Sequence, residues 1–388
     1  MLSRDELAGW LRLSTTPGVG RATARQLLTA FGSPEGVLAA SNDALRAVCG
    51  SDVVQALRGD DALHAGRLDT TQRWLDAGTA ETPRDIVVLG DPRYPAMLLQ
   101  TADPPLLLYT LGRVELLSTD SVAIVGSREA TPQGMDNARE FARFLSERGL
   151  TIVSGMAKGI DGAAHDGALA GRGSTVAFVG TGLDRVYPSS HAPLMRRIAE
   201  QGLVASEYAI GTPSRPEHFP RRNRLIAGLS RGTLVVEAAL ESGSLITARL
   251  AIECGRDVFA IPGSIHSPQS RGCHRLIQDG AKLVQGGEDV LRELQPGIVP
   301  ARLSRPQPSL FTVEHGAADS DVADEPSETP GPDAALRKAL GHDPVSFDVL
   351  SARTGLPADR LAARLLDLEL AGVVQRLPGG LLQRRGRA

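Results

Sequence analysis

The sequence has little cysteine and few aromatic residues. Its three cysteines, Cys49, Cys254 and Cys273, lie far apart in a chain of 388 residues. They form no Cys-x-x-Cys pair or Cys/His cluster, so their spacing indicates neither a disulfide framework nor a zinc site. We expect no metal and no cofactor. Tyr, Trp and Phe make up only 4% of the chain, so an aromatic residue beside a basic motif stands out.

An excess of one charge and long apolar runs are also absent. The chain carries 42 Lys and Arg against 45 Asp and Glu, a net charge of −3, so the molecule as a whole is not a polycation. Any binding of nucleic acid must therefore depend on local patches of Lys and Arg. The first residues, MLSRDELAGWLRLS, lack the apolar core of a signal peptide, and no apolar run approaches the length of a membrane span. We expect a cytoplasmic protein without membrane contact.

Residues 1–80 are predicted to form a small helical domain, because apolar residues recur there at helical spacing. Residues 16–20, Thr-Pro-Gly-Val-Gly, join the first two predicted helices in the pattern of a helix-hairpin-helix (SAM-like) domain. The glycines permit a tight turn, and amides at the start of the next helix can meet a phosphate. A turn that only joins two packed helices is the alternative.

Residues 81–295 are predicted to form an extended Rossmann-like domain. Nine short β-rich runs occur between residues 86 and 284, and helical stretches fill several of the gaps between them. This alternation predicts an α/β fold with a mostly parallel sheet and helices on both faces. The first two runs, 86–89 and 106–109, have no long helix between them, so we expect extra strands ahead of the usual unit.

The rest of the chain divides into a linker and a third domain. Residues 296–333 are rich in proline and acidic residues, which predicts a disordered tether. Residues 334–388 combine helix candidates, the longest over 357–371, with a hairpin, and this order predicts a winged helix. From residue 335 onward this domain has nine Lys or Arg and five Asp or Glu. This excess of positive charge favours binding of DNA. Winged helices also bind proteins, so DNA and protein both stay open as partners of this domain.

Glycine-rich turns follow several predicted strands, and they contain many of the candidate phosphate-binding residues. At the carboxyl end of a parallel strand, glycine lets backbone amides approach a phosphate, serine donates a hydrogen bond and arginine can contact two phosphate oxygens at once. Glycines and a lysine at a helix start also form an anion cradle. The candidates in these turns are Gly126, Ser127, Arg128, Ser154, Gly155, Lys158, Gly159, Ser242 and Gly243.

Asp161 and His165 follow the second of these turns, four residues apart on one predicted helix. They can be interpreted as a catalytic pair. The alternative makes Asp161 a helix N-cap and His165 a local hydrogen-bond partner. We favour the alternative, because no nucleophile or set of metal ligands accompanies them.

An arginine cluster at residues 221–224 is the most basic motif of the central domain. Phe219 precedes Arg221, Arg222, Asn223 and Arg224 at the start of a predicted helix. A base can stack on the phenylalanine while guanidinium groups hold the backbone, as binders of single-stranded nucleic acid require. A charge run alone is usually a solvated face, but beside the glycine turns it indicates ligand contact.

Two further residues at strand ends have alternative roles. Tyr187, in the turn at 180–188, can stack on a base or pack in the core. Glu237, at the end of the run 233–237, can pair with an arginine of the cluster.

Together these motifs resemble the DNA-processing protein A family (DprA, also called Smf). The resemblance is strong over residues 85–295 and extends to the outer domains through their architecture. It runs through AIVGSR at 123–128, SGMAKGIDGAAH at 154–165, GTGLDRVYP at 180–188, SEY at 206–208, FPRRNRLIAGLS at 219–230, VVEAALESGSLITA at 235–248, GRDVFAIPGS at 255–264 and SRGCHRLIQDGAKLV at 270–284.

The resemblance implies a function and partners. It implies a protein that binds and protects single-stranded DNA without catalysis and loads the RecA recombinase during natural transformation. It also implies a homodimer, formed near residues 245–290, with single-strand-binding protein as a further candidate partner. Arg128, Lys158 and residues 222–224 would hold the strand. Two departures from the family pattern, Thr181 for a cysteine and His191 for an asparagine, lie outside this basic set.

Other functions are compatible with parts of the pattern. The fold also resembles phosphoribohydrolases that cleave nucleoside monophosphates, but their PGGxGTxxE motif is incomplete here, since Ser-Arg-Gly-Thr at 230–233 precedes Glu237 without the PGG. A nucleotide sensor is a second alternative, and free-nucleotide binding without DNA binding would support it. A sequence-specific regulator acting through the winged helix alone leaves the glycine turns unexplained.

Overall fold

The computed structural model describes residues 2–59, 61–294, 334–341, 344–377 and 379–384. The chain divides into two compact units, Met1–Val290 and Leu291–Ala388. The predicted helical and Rossmann-like domains therefore belong to one unit. The predicted linker lies outside the described residues.

Six helices form the N-terminal part of the first unit. Ser3 and Glu6 cap the first of them reciprocally through side chain and backbone. Residues 16–20 join the first helix to the second, and Gly18 adopts a φ of +82° there, a conformation that favours glycine. The helices are α1 (Arg4–Thr15), α2 (Arg21–Phe31), α3 (Pro34–Ala39), α4 (Asn42–Arg46), α5 (Ser51–Arg58) and α6 (Asp61–Asp76).

Nine strands form a single sheet in the order β1-β2-β6-β5-β4-β3-β7-β8-β9. The seven strands from β6 to β9 in this order run parallel, whereas β1 and β2 pair antiparallel at one side. This confirms both the mostly parallel sheet and the extra strands ahead of the Rossmann-like unit. The strands are β1 (Arg84–Val88), β2 (Leu107–Gly112), β3 (Ser121–Val125), β4 (Thr151–Ser154), β5 (Thr175–Phe178), β6 (Leu203–Ser206), β7 (Gly232–Val235), β8 (Asp257–Ala260) and β9 (Lys282–Leu283).

Helices cover both faces of the sheet, and the central strands β3, β4, β5 and β7 are buried along their whole length, as expected for parallel strands packed on both sides. The helices are α7 (Ala96–Leu99), α8 (Pro132–Glu147), α9 (Ile160–Ala168), α10 (Ala192–Gln201), α11 (His218–Leu229), α12 (Gly243–Glu253), α13 (Arg271–Gln278) and α14 (Gly287–Leu294).

The strand order reverses direction between β3 and β7. From β3 the chain continues to β4 on one side, and it later returns to β7 on the other. Open α/β sheets bind ligands at such a switch point, outside the carboxyl ends of the strands. We call the turns at residues 126–131, 155–159, 179–188 and 236–242, which follow β3, β4, β5 and β7, the carboxyl edge.

The second unit is a small winged helix. Its helices are α15 (Ala334–Leu340), α16 (Phe347–Thr354) and α17 (Ala358–Leu370), and β10 (Val374–Arg376) pairs antiparallel with β11 (Leu382–Arg384). Leu336, Leu350 and Leu365 belong to a core of its own. The predicted winged helix is confirmed. Within the described parts of both units, no helix is long and apolar enough to cross a bilayer.

Candidate nucleic-acid interface

The turn after β3 presents Arg128 to solvent and uses Ser127 internally. Ser127 is buried; its amide donates to the Glu237 carbonyl oxygen at 2.7 Å, and its hydroxyl accepts from the Glu129 amide at 3.1 Å. Arg128 is exposed, and its guanidinium lies 5.3 Å from the centroid of the Phe219 ring. Ser127 therefore shapes the turn, whereas Arg128 is available to a ligand.

Gly159 of the predicted cradle and Gly126 of the turn after β3 allow neighbouring turns to pack together. Gly159 has a φ of +76°, and a Cβ atom there would lie 2.3 Å from the Ser127 carbonyl oxygen. A Cβ atom on Gly126 would lie 2.6 Å from a side-chain carbon of Ile160. The sequence predicted approach to a phosphate at both positions. The structure gives both a packing role, which fixes the turn after β3 against the turn after β4.

The turn after β4 is buried except at Lys158. The Ser154 hydroxyl donates to the Ile124 carbonyl oxygen at 2.7 Å. The amides of Gly155 and Ala157 donate to the Asp161 carboxylate at 3.1 and 3.2 Å. These hydrogen bonds fix the shape of the turn. Lys158 is the exposed residue of the turn, so its ammonium group is accessible at the surface.

The alternative that made Asp161 a helix N-cap is wrong. Gly159 is the N-cap of α9, and Asp161 lies inside its first turn. The Asp161 carboxylate accepts from the preceding turn and not from the start of its own helix. An aspartate near the start of a helix does not identify the N-cap by itself, because acidic residues are also favoured within the first helical turn.

His165 is a buried neutral imidazole that bonds to groups other than Asp161. The Met156 amide donates to Nε2 at 3.3 Å, and Nδ1 lies 2.7 Å from the Thr175 hydroxyl oxygen. That hydroxyl donates its only proton to the Ile152 carbonyl oxygen at 2.6 Å, so Nδ1–H must donate to Thr175. Burial lowers the pKa of His165 to about 3. The local hydrogen-bonding role is confirmed, and the two side chains do not form a catalytic pair.

Arg222 is the unusual residue of the arginine cluster, because it is a buried cation with very few partners. It is 3% exposed. Its Nη1 donates to the Phe178 carbonyl oxygen at 2.8 Å, and its buried Nε has no hydrogen-bond partner among the described residues. The guanidinium packs on Gly155, where a Cβ atom would lie 1.7 Å from Nη1.

The electrostatic environment of Arg222 is equally unusual. Burial lowers the pKa of Arg222 to about 10; Asp161 opposes this shift and the nearby charge of Arg128 adds to it. The described residues give Arg222 no ion pair, although guanidinium groups carry five N–H donors. A buried charge with unused donors favours an anion as its missing partner.

The remaining residues of the cluster have different surroundings. Arg221 is exposed. The Asn223 amide lies 3.5 Å from the Gly243 carbonyl oxygen, a long contact. Arg224 pairs with Glu207, which is only 9% exposed, and its Nε lies 3.4 Å from the Asp103 carboxylate. Arg224 thus belongs to an ion cluster, and its predicted contact with a strand stays a prediction.

That ion cluster links the helical part to the sheet. Arg21 of α2 pairs with Glu207 at 2.8 Å and with Asp103 at 2.6 Å, and Arg25 pairs with Asp103 at 2.7 Å. Three arginines thus share two carboxylates. These pairs fix α2 against the segments that flank the sheet.

Tyr187 and Phe219 form an aromatic pair, and Arg128 lies over the Phe219 ring. Tyr187 is 48% exposed, and its ring centroid lies 5.3 Å from that of the half-buried Phe219 at an interplanar angle of 39°. Exposure of Tyr187 favours the stacking role over core packing. Arg185, in the same turn, has a side chain that is 54% exposed. The sequence prediction missed Arg185, although its position after a strand was a usable signal.

The turn after β7 completes the carboxyl edge. The Glu237 carboxylate accepts from the Thr131 amide at 2.8 Å and from the Thr131 hydroxyl at 2.6 Å, which holds it at the start of α8. Ser242 is the N-cap of α12, and its hydroxyl oxygen lies 2.7 Å from that of Ser244. Gly243 is exposed beside it. The predicted residues from Gly126 to Gly243 thus lie in one unit, at a strand end, in turns or in helices, but only some reach its surface.

Comparison with known proteins gives consistent matches. The model of the DNA recombination-mediator protein A family matches residues 85–295, and that of the DprA winged helix domain matches residues 321–380. Protein Smf of Escherichia coli is 41% identical over 322 residues, which cover 82% of this chain and 81% of that protein.

Two solved structures are similar to this chain. The X-ray structure of DNA processing protein A from Streptococcus pneumoniae matches with a TM-score of 0.65 and 38% identity, covering 76% of this chain and 99% of that one. DNA processing protein A from Helicobacter pylori, whose structure is described for its single-stranded DNA binding mode, matches with a TM-score of 0.50 and 32% identity, covering 54% of this chain and 95% of that one.

Proposed function

This chain belongs to the DNA recombination-mediator protein A family, and we propose that it binds single-stranded DNA along the carboxyl edge of its sheet. The observation that carries the proposal is the buried guanidinium of Arg222, which forms no direct ion pair within the described structure and whose Nε has no hydrogen-bond partner there. A backbone phosphate supplies the missing charge and accepts hydrogen bonds from the unused donors.

Exposed cations extend this site in two directions. Arg128, Lys158 and Arg221 lie at the surface of the turns and of α11 that surround Arg222. In the proposed complex they contact successive phosphates, so the affinity falls steeply with salt. Arg224, Ser127 and Ser154 hold the surrounding structure.

The aromatic pair explains a preference for single strands. Tyr187 and Phe219 offer ring faces, and Arg128 lies over that of Phe219. Only unpaired bases can stack on them, since paired bases are already stacked within a duplex. The protein of Helicobacter pylori named above is described as binding single-stranded DNA, which supports the same role here.

We propose that no bond is broken at this edge. Asp161 accepts from two backbone amides, and His165 is neutral and bonded at both nitrogens. Glu237, the residue that a phosphoribohydrolase would need, accepts from Thr131 at the start of α8. A catalytic acid or base must be within hydrogen-bond reach of a proton of the substrate. These three side chains are bonded to groups of the protein itself.

The wider role follows the family. We propose that the chain forms a homodimer, protects the bound strand and loads the RecA recombinase onto it during natural transformation, with single-strand-binding protein as a further partner. Loading is tested by the rate of ATP hydrolysis by RecA on a strand already coated with single-strand-binding protein. The chain should shorten the lag of that reaction, and an unchanged lag would contradict loading while leaving DNA binding intact.

Binding itself is tested by fluorescence anisotropy with labelled oligo-dT, competed by unlabelled oligo-dT or by an unlabelled duplex of equal length. The proposal predicts that the single strand competes far better. Equal competition would contradict it. Incubation with nucleoside monophosphates, followed by chromatography of the products, should show no free base; release of base would establish the enzyme instead.

A further inference from the structure

A cavity of about 480 Å³ lies between the helical part and the sheet of the first unit. This volume is within the range of about 300–1,000 Å³ that is usual for small-molecule sites. It is lined by α1, α6, β2 and the segment that follows β6. The residues proposed to hold the DNA strand do not line it.

The floor of the cavity contains an unsatisfied phenol. Tyr109 is 1% exposed, and its buried hydroxyl lies near the Thr71 side chain but makes no hydrogen bond of ordinary distance and angle in the described structure. Burial raises the pKa of Tyr109, while a weak hydrogen bond with Thr71 and the charge of Arg67 oppose the shift, so the hydroxyl stays protonated and can donate. Its ring is fixed by edge-to-face packing on Trp74 at 6.1 Å between centroids. A buried polar group without an ordinary hydrogen bond is rare and favours a ligand atom at that position.

Two guanidinium groups supply positive charge. Arg67 is half-buried, and its Nη1 donates to the Thr15 carbonyl oxygen at 3.0 Å; the described carboxylates form no ion pair with it. Arg215 is largely exposed, and Glu217 lies at 4.0 Å, at the outer limit of an ion pair. Both residues line the cavity, so both can attract an anionic group that enters it.

Other polar groups of the wall have partners within the protein. The hydroxyls of Ser14 and Thr15 donate to the Leu11 carbonyl oxygen at 3.2 and 2.7 Å, which leaves their oxygens able to accept. Glu207 already pairs with Arg21 and Arg224. The cavity therefore suits a ligand larger than an inorganic ion, with an anionic group and a body that contains both donors and acceptors.

We propose that this cavity binds a nucleoside 5′-phosphate, with the phosphate between Arg67 and Arg215 and the nucleoside directed to Tyr109. His218 lines the cavity, and the next residue, Phe219, belongs to the aromatic pair of the carboxyl edge. The ligand is a free nucleotide or the 5′-terminal nucleotide of a bound strand. The cavity is separate from Arg128 and Arg222, so the inference goes beyond the proposed function.

The test is calorimetric titration of the full chain with dTMP, dAMP and inorganic phosphate. Arg67→Gln should weaken nucleotide binding by about tenfold or more, because a charge-assisted hydrogen bond to the phosphate is removed. Tyr109→Phe should weaken it less and leave the fold intact, since the hydroxyl has no hydrogen bond of ordinary geometry to lose. Arg73→Gln, an exposed arginine on the same helix α6, is the matched control and should bind as the wild type does. No nucleotide binding, equal binding by Arg67→Gln, or equal affinity for phosphate alone would overturn the inference.

A second set of measurements separates this site from the strand site. Arg128→Ala should lose oligo-dT binding and keep nucleotide binding; loss of both would place the nucleotide at the carboxyl edge and overturn the inference. Oligo-dT with a 5′-phosphate is then compared with oligo-dT bearing a 5′-hydroxyl. A preference for the phosphate that disappears in Arg67→Gln identifies the strand end as the source. Nucleotide binding without that preference identifies a free nucleotide.

Discussion

At the scale of single residues, burial of the Arg222 charge opposes folding, although the same charge is the centre of the proposed binding site. Burial lowers its pKa to about 10 from an ordinary value of 12.5. The unfolded chain therefore takes up the proton first as the pH falls, and the penalty grows between these two values and is complete at neutral pH. Keeping this buried side chain charged therefore lowers the free energy of unfolding. In the proposed complex a phosphate offsets this cost.

The first prediction concerns Arg222→Met. Affinity for oligo-dT should fall by about tenfold or more, because a charge-assisted hydrogen bond to a phosphate is removed. The free energy of unfolding should change little, since removing a desolvated charge is offset by the loss of its favourable interaction with the buried Asp161 carboxylate. Urea unfolding and an anisotropy titration check the two parts. Arg224→Met is the matched comparison and should destabilise, because Glu207 loses a partner. Full DNA affinity in Arg222→Met would contradict the proposed phosphate contact.

The second prediction concerns the stability of the protein at acidic pH. His165 has a pKa of about 3 in the folded protein and an ordinary value of 6.5. Its contribution to stability is present above pH 6.5 and is lost as the pH falls below it, because only the unfolded chain takes up the proton. The free energy of unfolding should drop by about 2 kcal/mol between pH 7 and pH 5. Urea titrations at both pH values measure this. His165→Gln should show a smaller drop, whereas the exposed His266→Gln should match the wild type.

At the scale of elements, α11 explains why three neighbouring arginines have three different environments. Successive residues of a helix are about 100° apart around its axis. Arg221 therefore points to solvent, Arg222 into the sheet edge, and Arg224 towards Asp103 and Glu207. The sequence predicted the helix and the cluster but treated its arginines as equivalent, because it did not show which face of the helix is covered.

Local patterns explain what could be predicted. The nine strands were recognisable because each is a short apolar run before a polar or glycine turn, and Arg128 and Lys158 were recognisable because they occupy those turns. The partners of Arg224 could not be recognised from the sequence, because Asp103 comes close to Arg224 only after the chain has folded. Likewise, no sequence pattern distinguishes glycines that admit a phosphate from Gly126 and Gly159, which admit a neighbouring turn.

The third prediction concerns these packed turns. Gly159→Ala places a Cβ atom 2.3 Å from the Ser127 carbonyl oxygen at a φ of +76°. The free energy of unfolding should fall by about 1–3 kcal/mol, and DNA affinity should fall with it because the turn that bears Arg128 is displaced. Thermal unfolding and anisotropy check this. Gly66→Ala, within α6 and with open space around it, should stabilise slightly. Wild-type stability of Gly159→Ala would show that the turns pack differently.

At the scale of the whole molecule, the proposed strand site belongs to one unit. Every residue proposed to contact DNA lies within Met1–Val290, and the winged helix has its own apolar core. The ion cluster around Asp103 and Glu207 adds polar links between α2 and the sheet. The first unit therefore contains every element of the proposed strand site.

The fourth prediction follows from this division. A chain that ends after α14, at residue 294, should keep its affinity for oligo-dT within about twofold, because units with their own cores can fold separately. Anisotropy titrations of the shortened and full chains measure this. A large loss of affinity in a shortened chain that is folded by circular dichroism would place essential DNA contacts in the winged helix.

The most direct test of the central claim is an oligo-dT titration at two salt concentrations with the wild type, Arg128→Ala and Arg148→Ala. Both arginines are exposed and lie over a phenylalanine ring, but Arg128 is at the carboxyl edge and Arg148 follows α8, just before β4 begins. The account predicts that Arg128→Ala binds weakly, with a salt slope smaller by about 0.7 for each phosphate that is no longer neutralised, and that Arg148→Ala binds as the wild type does. Equal affinities and slopes for Arg128→Ala and the wild type would contradict binding at the carboxyl edge.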